Sequence, residues 1–216
     1  LAALACLVCL GSGCSLFHQR GPVSDSVATC RELSQQGLSA MCRGDLNSAE
    51  ATLRRATDTC PTDIDARIYY GETLWRQGEH QPARAQLQPA LYVAPNDARL
   101  HLRVAQVSLA MGDTTTAARE VAETIELDPA LTEAWILRGR LMHGTGRMHE
   151  ALADYHRALK YDPRHCEALL LVAEWHREMG QPWRALSALH ELSDLYSPGS
   201  EPPHVLYLTG RAYSAT

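Results

Sequence analysis

Apolar and small residues recur along the chain at helical spacing, in blocks that are themselves repeated. In residues 132–165, Ala134, Trp135, Gly139 and Met142 share one helical stripe, Gly146 interrupts it, and Ala151, Leu152, Tyr155, Ala158 and Leu159 resume it before Pro163. The stretch reads as a helix, a turn, a second helix and a stop. A shift of 34 residues places the turn glycine on Gly44, Gly78, Gly112 and Gly180, and the second-helix alanine on Ala49, Ala83, Ala117 and Ala185. The closing proline returns as Pro61, Pro95 and Pro129. Three slots that hold one phase over five units define a repeat, and two helices per unit predict an all-α array in which each hairpin buries its neighbour's apolar face.

This pattern resembles the tetratricopeptide-repeat (TPR) family over residues 30–199. In that family a small residue of the first helix lies where two helices approach closely, a slot matched by Gly37, Gly71, Gly139 and Gly210 and by Ala105 and Ala173. Trp135 and Tyr155 match the family's bulky rings, whereas Leu87, Val121 and Leu189 stand where a ring is usual. The resemblance implies a right-handed superhelical solenoid of about five and a half helix-turn-helix units, at 30–63, 64–97, 98–131, 132–165 and 166–199, with a partial repeat or capping helix at 203–216. Pro82 falls at the start of a second helix, where its missing N–H costs nothing. Pro89 falls inside that helix and predicts a bend. Three additional residues, with several prolines and Gly199, separate the fifth unit from the last helix.

Residues 1–14 read as a leader outside the fold. LAALACLVCLGSG is uncharged and mostly apolar, too short to span a bilayer and of the length of a secretory signal's apolar core. Gly11-Ser12-Gly13-Cys14 resembles the lipobox of bacterial lipoproteins, which makes Cys14 the expected lipidation site and the expected mature N-terminus. The slot for the usual Leu is Gly11, and Leu10 stands one place early. Residues 15–29, with Gly21-Pro22, read as a tether.

Composition narrows the function. A formal charge of −5, with 20 Lys and Arg scattered among 25 Asp and Glu, supplies no basic field for nucleic acid. His149 and His156 share a helix face but stand seven residues, about 10 Å, apart, too far to ligate one ion together. Glu72, Glu133 and Glu174 lie singly on first helices, with no second carboxylate placed for acid/base work. Neither a catalytic motif nor a glycine-rich phosphate loop occurs. No enzyme, cofactor, metal or small-molecule substrate is therefore expected. Of the cysteines beyond the leader, Cys30 opens the first helix of unit one and Cys60 closes its second, and in an antiparallel hairpin these ends meet. An exported protein could join them in a disulfide.

These observations point to a scaffold that binds a peptide or helix of a partner protein. The leader adds a lipid anchor in a bacterial envelope, facing the periplasm, as in the envelope TPR lipoproteins that the chain resembles. The alternatives are the targeting arm of a larger enzyme and a cytosolic adaptor. In the family the groove is lined by first helices, so residues on their exposed side should form stripes. One stripe is Ile68, Leu102, Ile136 and Leu170, with Trp75 and Leu109 beside it and Glu72, Gln106, Arg140 and Glu174 alternating in character along its flank. These positions lack the clustered basic and amide side chains that clamp a C-terminal carboxylate, so apolar anchors are expected to hold the partner. Trp75, flanked by Arg76, is the expected hot spot. The competing reading is that the stripe is packed between adjacent helices.

Overall fold

The structure, a computed structural model, describes residues 22–197 and 199–216. Among these residues lie eleven helices: α1 Pro22–Cys42, α2 Leu46–Thr59, α3 Ile64–Arg76, α4 His80–Val93, α5 Ala98–Ala110, α6 Thr114–Leu127, α7 Thr132–Gly144, α8 Met148–Tyr161, α9 Cys166–Glu178, α10 Pro182–Ser193 and α11 Pro203–Tyr213. Successive pairs from α1/α2 to α9/α10 pack as hairpins, and each second helix also packs on the next first helix. The result is an all-α repeat solenoid. None of these helices is long and apolar enough to cross a membrane.

Local chemistry sets the boundaries. Asp45, Asp63, Asp97 and Asp113 precede α2, α3, α5 and α6 and accept hydrogen bonds from the backbone N–H groups of Ser48, Ala66, Leu100 and Thr116 at 3.0–3.1 Å. Each satisfies a donor that the first turn leaves unpaired. The hairpin turns are made by Gly44, Gly78, Gly112, Gly146 and Gly180, with φ between 67° and 82°, a left-handed conformation that side chains resist. α4 is helical from His80 through Val93, so Pro89 does not break it.

The N-terminal boundary departs from the sequence reading. Residues 22–29, expected as tether, are the first two turns of α1. Gly21-Pro22 resembled a loop, yet proline is well suited to open a helix because its φ is preset and its missing N–H has no intrahelical partner there. The leader, Cys14 and the rest of the expected tether lie outside the described residues.

Within each hairpin the two helices meet at one tight point. A Cβ added to Gly71 would lie 2.7 Å from Leu87 Cγ, and Gly37 and Gly139 face Leu53 and Tyr155 in the same way. Leu53, Leu87 and Tyr155 are all but fully buried at these seats. Packing of this density leaves no space for a methyl group without displacing the partner.

Polar groups supplement the apolar seam. Asp154, 2% exposed, takes a bidentate contact from Arg138 at 2.8 and 2.7 Å and another from Arg157 at 2.6 Å. Buried His101 holds Glu120 Oε2 at 2.7 Å and the carbonyl oxygen of Pro95 at 2.8 Å, tying α5 to α6 and to the loop that precedes it. A disulfide joins Cys30 to Cys60 with Cα atoms 6.2 Å apart, within the ordinary span of such bonds. It links α1 to the end of α2.

Two outcomes are expected. Asp154→Ala strands Arg138 and Arg157 and should lower the unfolding free energy by about 3 kcal/mol. Glu150→Ala, which removes only an exposed pair with Arg147, should leave the unfolding free energy nearly unchanged. Urea melts of the two variants compare them. Replacing Cys60 by Ser opens a loop of 30 residues and should lower stability by roughly 3–4 kcal/mol on the chain-entropy account. Melts of the variant beside the oxidised and reduced wild type measure this loss.

Candidate partner-binding groove

First helices α3, α5, α7 and α9 follow one another along one side of the array and enclose a concave site between them. A cavity of about 420 Å³ is lined by Trp75 of α3, by Gln106, Leu109 and Ala110 of α5, by Glu133, Ile136, Leu137 and Arg140 of α7, and by Glu167 of α9. Its walls are mainly apolar, with charge at the rim. Five residues expected in the groove therefore converge here: Trp75, Gln106, Leu109, Ile136 and Arg140.

The apolar stripe itself is corrected. Leu102 and Ile136 are only 8% and 4% exposed, and Leu102 belongs to the core shared by α5, α6 and α7. Ile68 packs against the core that spans α1 to α5, and Leu170 against that of α8 to α11. Leu102 is packed between repeats, Ile68 and Leu170 are half-buried against the cores, and of the four only Ile136 lines the cavity. The physical reason is that core and groove positions of a repeat recur with the same period, so phase alone does not separate them. Glu174, half-buried on α9, lies outside the cavity lining.

Glu72 is also placed differently from the expected rim residue. It is 7% exposed and shared between two arginines, Arg76 Nε at 2.9 Å on its own helix and Arg103 Nε at 2.5 Å on α5. The Arg103 guanidinium stacks 4.7 Å from the centre of the Trp75 ring and donates to Gln106 Oε1 at 2.6 Å. Burial pulls the Arg103 pKa below its ordinary value, and the charge of Glu72 opposes that pull. Trp75 is thereby fixed at the cavity wall by a cation on its face. At the opposite rim Arg140 is paired with Glu167.

Sequence reasoning missed Arg103, and with it Ala110, Glu133, Leu137 and Glu167 of the cavity lining. The repeat phase aligns Glu72 with Gln106, but the side chain that reaches Glu72 stands one turn before Gln106. A search for opposite charges one turn to either side of the aligned position would have found it.

Two further cavities flank this one. One of about 500 Å³ lies between α1 and α3, walled by the disulfide, Leu38 and Tyr69. Another, of about 370 Å³, lies between α8, α9 and α10 and is lined by His156, His176, Arg184 and Glu191.

The tetratricopeptide-repeat sequence pattern matches residues 40–107 and, separately, 132–165. Together with the eleven helices packed in 34-residue steps, these matches decide the family. The chain is a tetratricopeptide-repeat protein. The TPR array superposes on solved structures of the class: a thermophilic TPR protein of Thermus thermophilus, at a TM-score of 0.67 with 19% identity, covers 86% of this chain and 98% of that one. PilF of Pseudomonas aeruginosa superposes at a TM-score of 0.76 with 17% identity, over 88% of this chain and 85% of that one. Among curated proteins, the rat DnaJ homolog subfamily C member 3 is 32% identical over 101 residues, which are 47% of this chain and 20% of that protein. The chain thus matches about a fifth of the length of such relatives. As a TPR array it is a protein-interaction scaffold.

Proposed function

We propose that the groove holds a helical or extended segment of a partner protein by an apolar side chain seated between Trp75, Leu109 and Ile136, and that the protein acts without catalysis. The observation that carries this reading is the 420 Å³ cavity with an aromatic wall already fixed by Arg103. A rigid aromatic anchor of this kind costs little ordering entropy when a partner arrives. The cavity's neighbouring cations are committed, Arg103 to Glu72 and Arg140 to Glu167, which argues against capture of a C-terminal carboxylate and for an apolar anchor with mixed charges setting the register. Similarity to the wheat Hsp70-Hsp90 organizing protein, 22% identical over 167 residues, supports partners that are proteins.

The same proposal places the protein on a membrane of a bacterial envelope, facing the periplasm, held by lipid on Cys14. Its support is the apolar leader that ends in Gly-Ser-Gly-Cys, together with the Cys30–Cys60 disulfide, a bond at home in an oxidising compartment. Stable anchoring requires more than one acyl chain.

Trp75→Ala combined with Leu109→Ala should abolish recovery of the partner from an envelope extract while the chain keeps its helical circular dichroism. Undiminished recovery would show that the partner does not use this groove. For the anchor, intact-mass spectrometry of the protein from its native host should show wild type heavier than the sequence beginning at Cys14 by its acyl groups. Cys14→Ala should lack that increment, and equal unlipidated masses would refute the anchor.

A further inference from the structure

Packing brings together two histidines that belong to different repeats. His156 shares α8 with His149, but the ring that approaches it is that of His176 on α9, and the two ring centres lie 6.1 Å apart. Both rings line the cavity of about 370 Å³ between α8, α9 and α10, together with Arg184, Ser187 and Glu191 and with apolar walls that include Leu169 and Val172. This cavity shares no residue with the partner-binding groove.

His176 is held in one tautomer. Arg184 Nη1 donates to Gln181 Oε1 at 3.2 Å, and because a guanidinium only donates, the amide atom that it meets is the oxygen. The same oxygen lies 2.9 Å from His176 Nδ1, so that nitrogen carries a hydrogen and donates it. A backbone bond of 2.8 Å from the Gln181 N–H to the His176 carbonyl oxygen keeps the two residues in register. The neutral ring then presents a lone pair at Nε2. His176 is only 6% exposed, yet Nε2 hydrogen-bonds to none of the described residues and is not sealed from solvent, which leaves it to the cavity that the ring lines. His156 likewise hydrogen-bonds to none of the described residues.

An imidazole whose Nδ1–H is pinned by an oxygen acceptor has its Nε2 oriented and made more basic, which is how metal-ligating histidines are prepared. Two rings that share one zinc ion, each nitrogen about 2.0–2.1 Å from it, have their centres roughly 5–6.5 Å apart, a range that includes the separation of His156 and His176. Among the described residues no set of three histidines, cysteines or carboxylates surrounds a metal position. Water therefore fills the remaining coordination positions, and the site is an open one.

We propose that His156 and His176 Nε2 form a two-histidine site for a divalent ion of the kind that imidazole favours, zinc, nickel or copper, and that Gln181 is its positioning residue. The ligands come from α8 of the fourth unit and α9 of the fifth, so the bound ion fastens one repeat to the next. The site is independent of the groove and of what the groove holds.

Zinc alone is the probe. Calorimetric titration of the chain, with exposed thiols such as Cys42 and Cys166 alkylated so that they do not compete, is expected to show one saturable site. His156→Ala alters an exposed side chain and should weaken that site by about tenfold or more, whereas His149→Ala, on the same helix, should leave it unchanged. Gln181→Leu, which keeps both ligands but frees the tautomer, should weaken it by about tenfold. Proton–nitrogen correlation spectra of the histidine rings should show zinc moving the signals of His156 and of His176 Nε2 while His176 Nδ1 stays protonated. Absence of a saturable site, or equal affinity in wild type and His156→Ala, means adventitious binding only and overturns the proposal. Zinc-induced shifts confined to other histidines overturn it as well.

Discussion

The close approach of two helices at one small residue per hairpin is the constraint on which the array depends. With no side chain at Gly71 or Gly139, the backbone of the first helix comes near enough for Leu87 or Tyr155 to fill the gap, and the hairpin acquires a fixed crossing. Each hairpin then offers the next one a surface of constant shape. Repetition of that surface turns a local contact into a long groove. The groove therefore inherits its geometry from residues that never line it.

Ion pairs add a second level of order. Asp154 with Arg138 and Arg157, and Glu120 with His101, tie the two helices of a single hairpin together. Glu72 does something different, because Arg76 and Arg103 come from neighbouring repeats. That shared carboxylate couples the spacing of α3 and α5 to the posture of Trp75. The binding surface and the join between two repeats are thus held by one buried charge.

The repeat phase was legible because Gly, Ala and Pro act at fixed points of a hairpin, through a positive φ, a close contact and a helix stop, each with a strong steric cause. What the sequence left unread follows from the limits of the same signals. Leu102 and Leu109 are both leucines of α5, yet one is packed between repeats and the other faces the cavity, and a shared period cannot separate them. Glu72 reads as a flanking residue of the groove, yet it is buried, as Glu120 and Asp154 are, among arginine or histidine partners that only the packing brings near. The start of α1 was missed because proline after glycine signals both a loop and a helix entry.

An array of stacked repeats has no single core, so its order is lost from the ends inward. The disulfide alters this for the first hairpin, which cannot splay apart because Cys30 and Cys60 are covalently joined across it. When its packing is lost, α1 and α2 stay tethered to each other, so the hairpin recloses as an intramolecular event over a short closed loop rather than by a search through open chain.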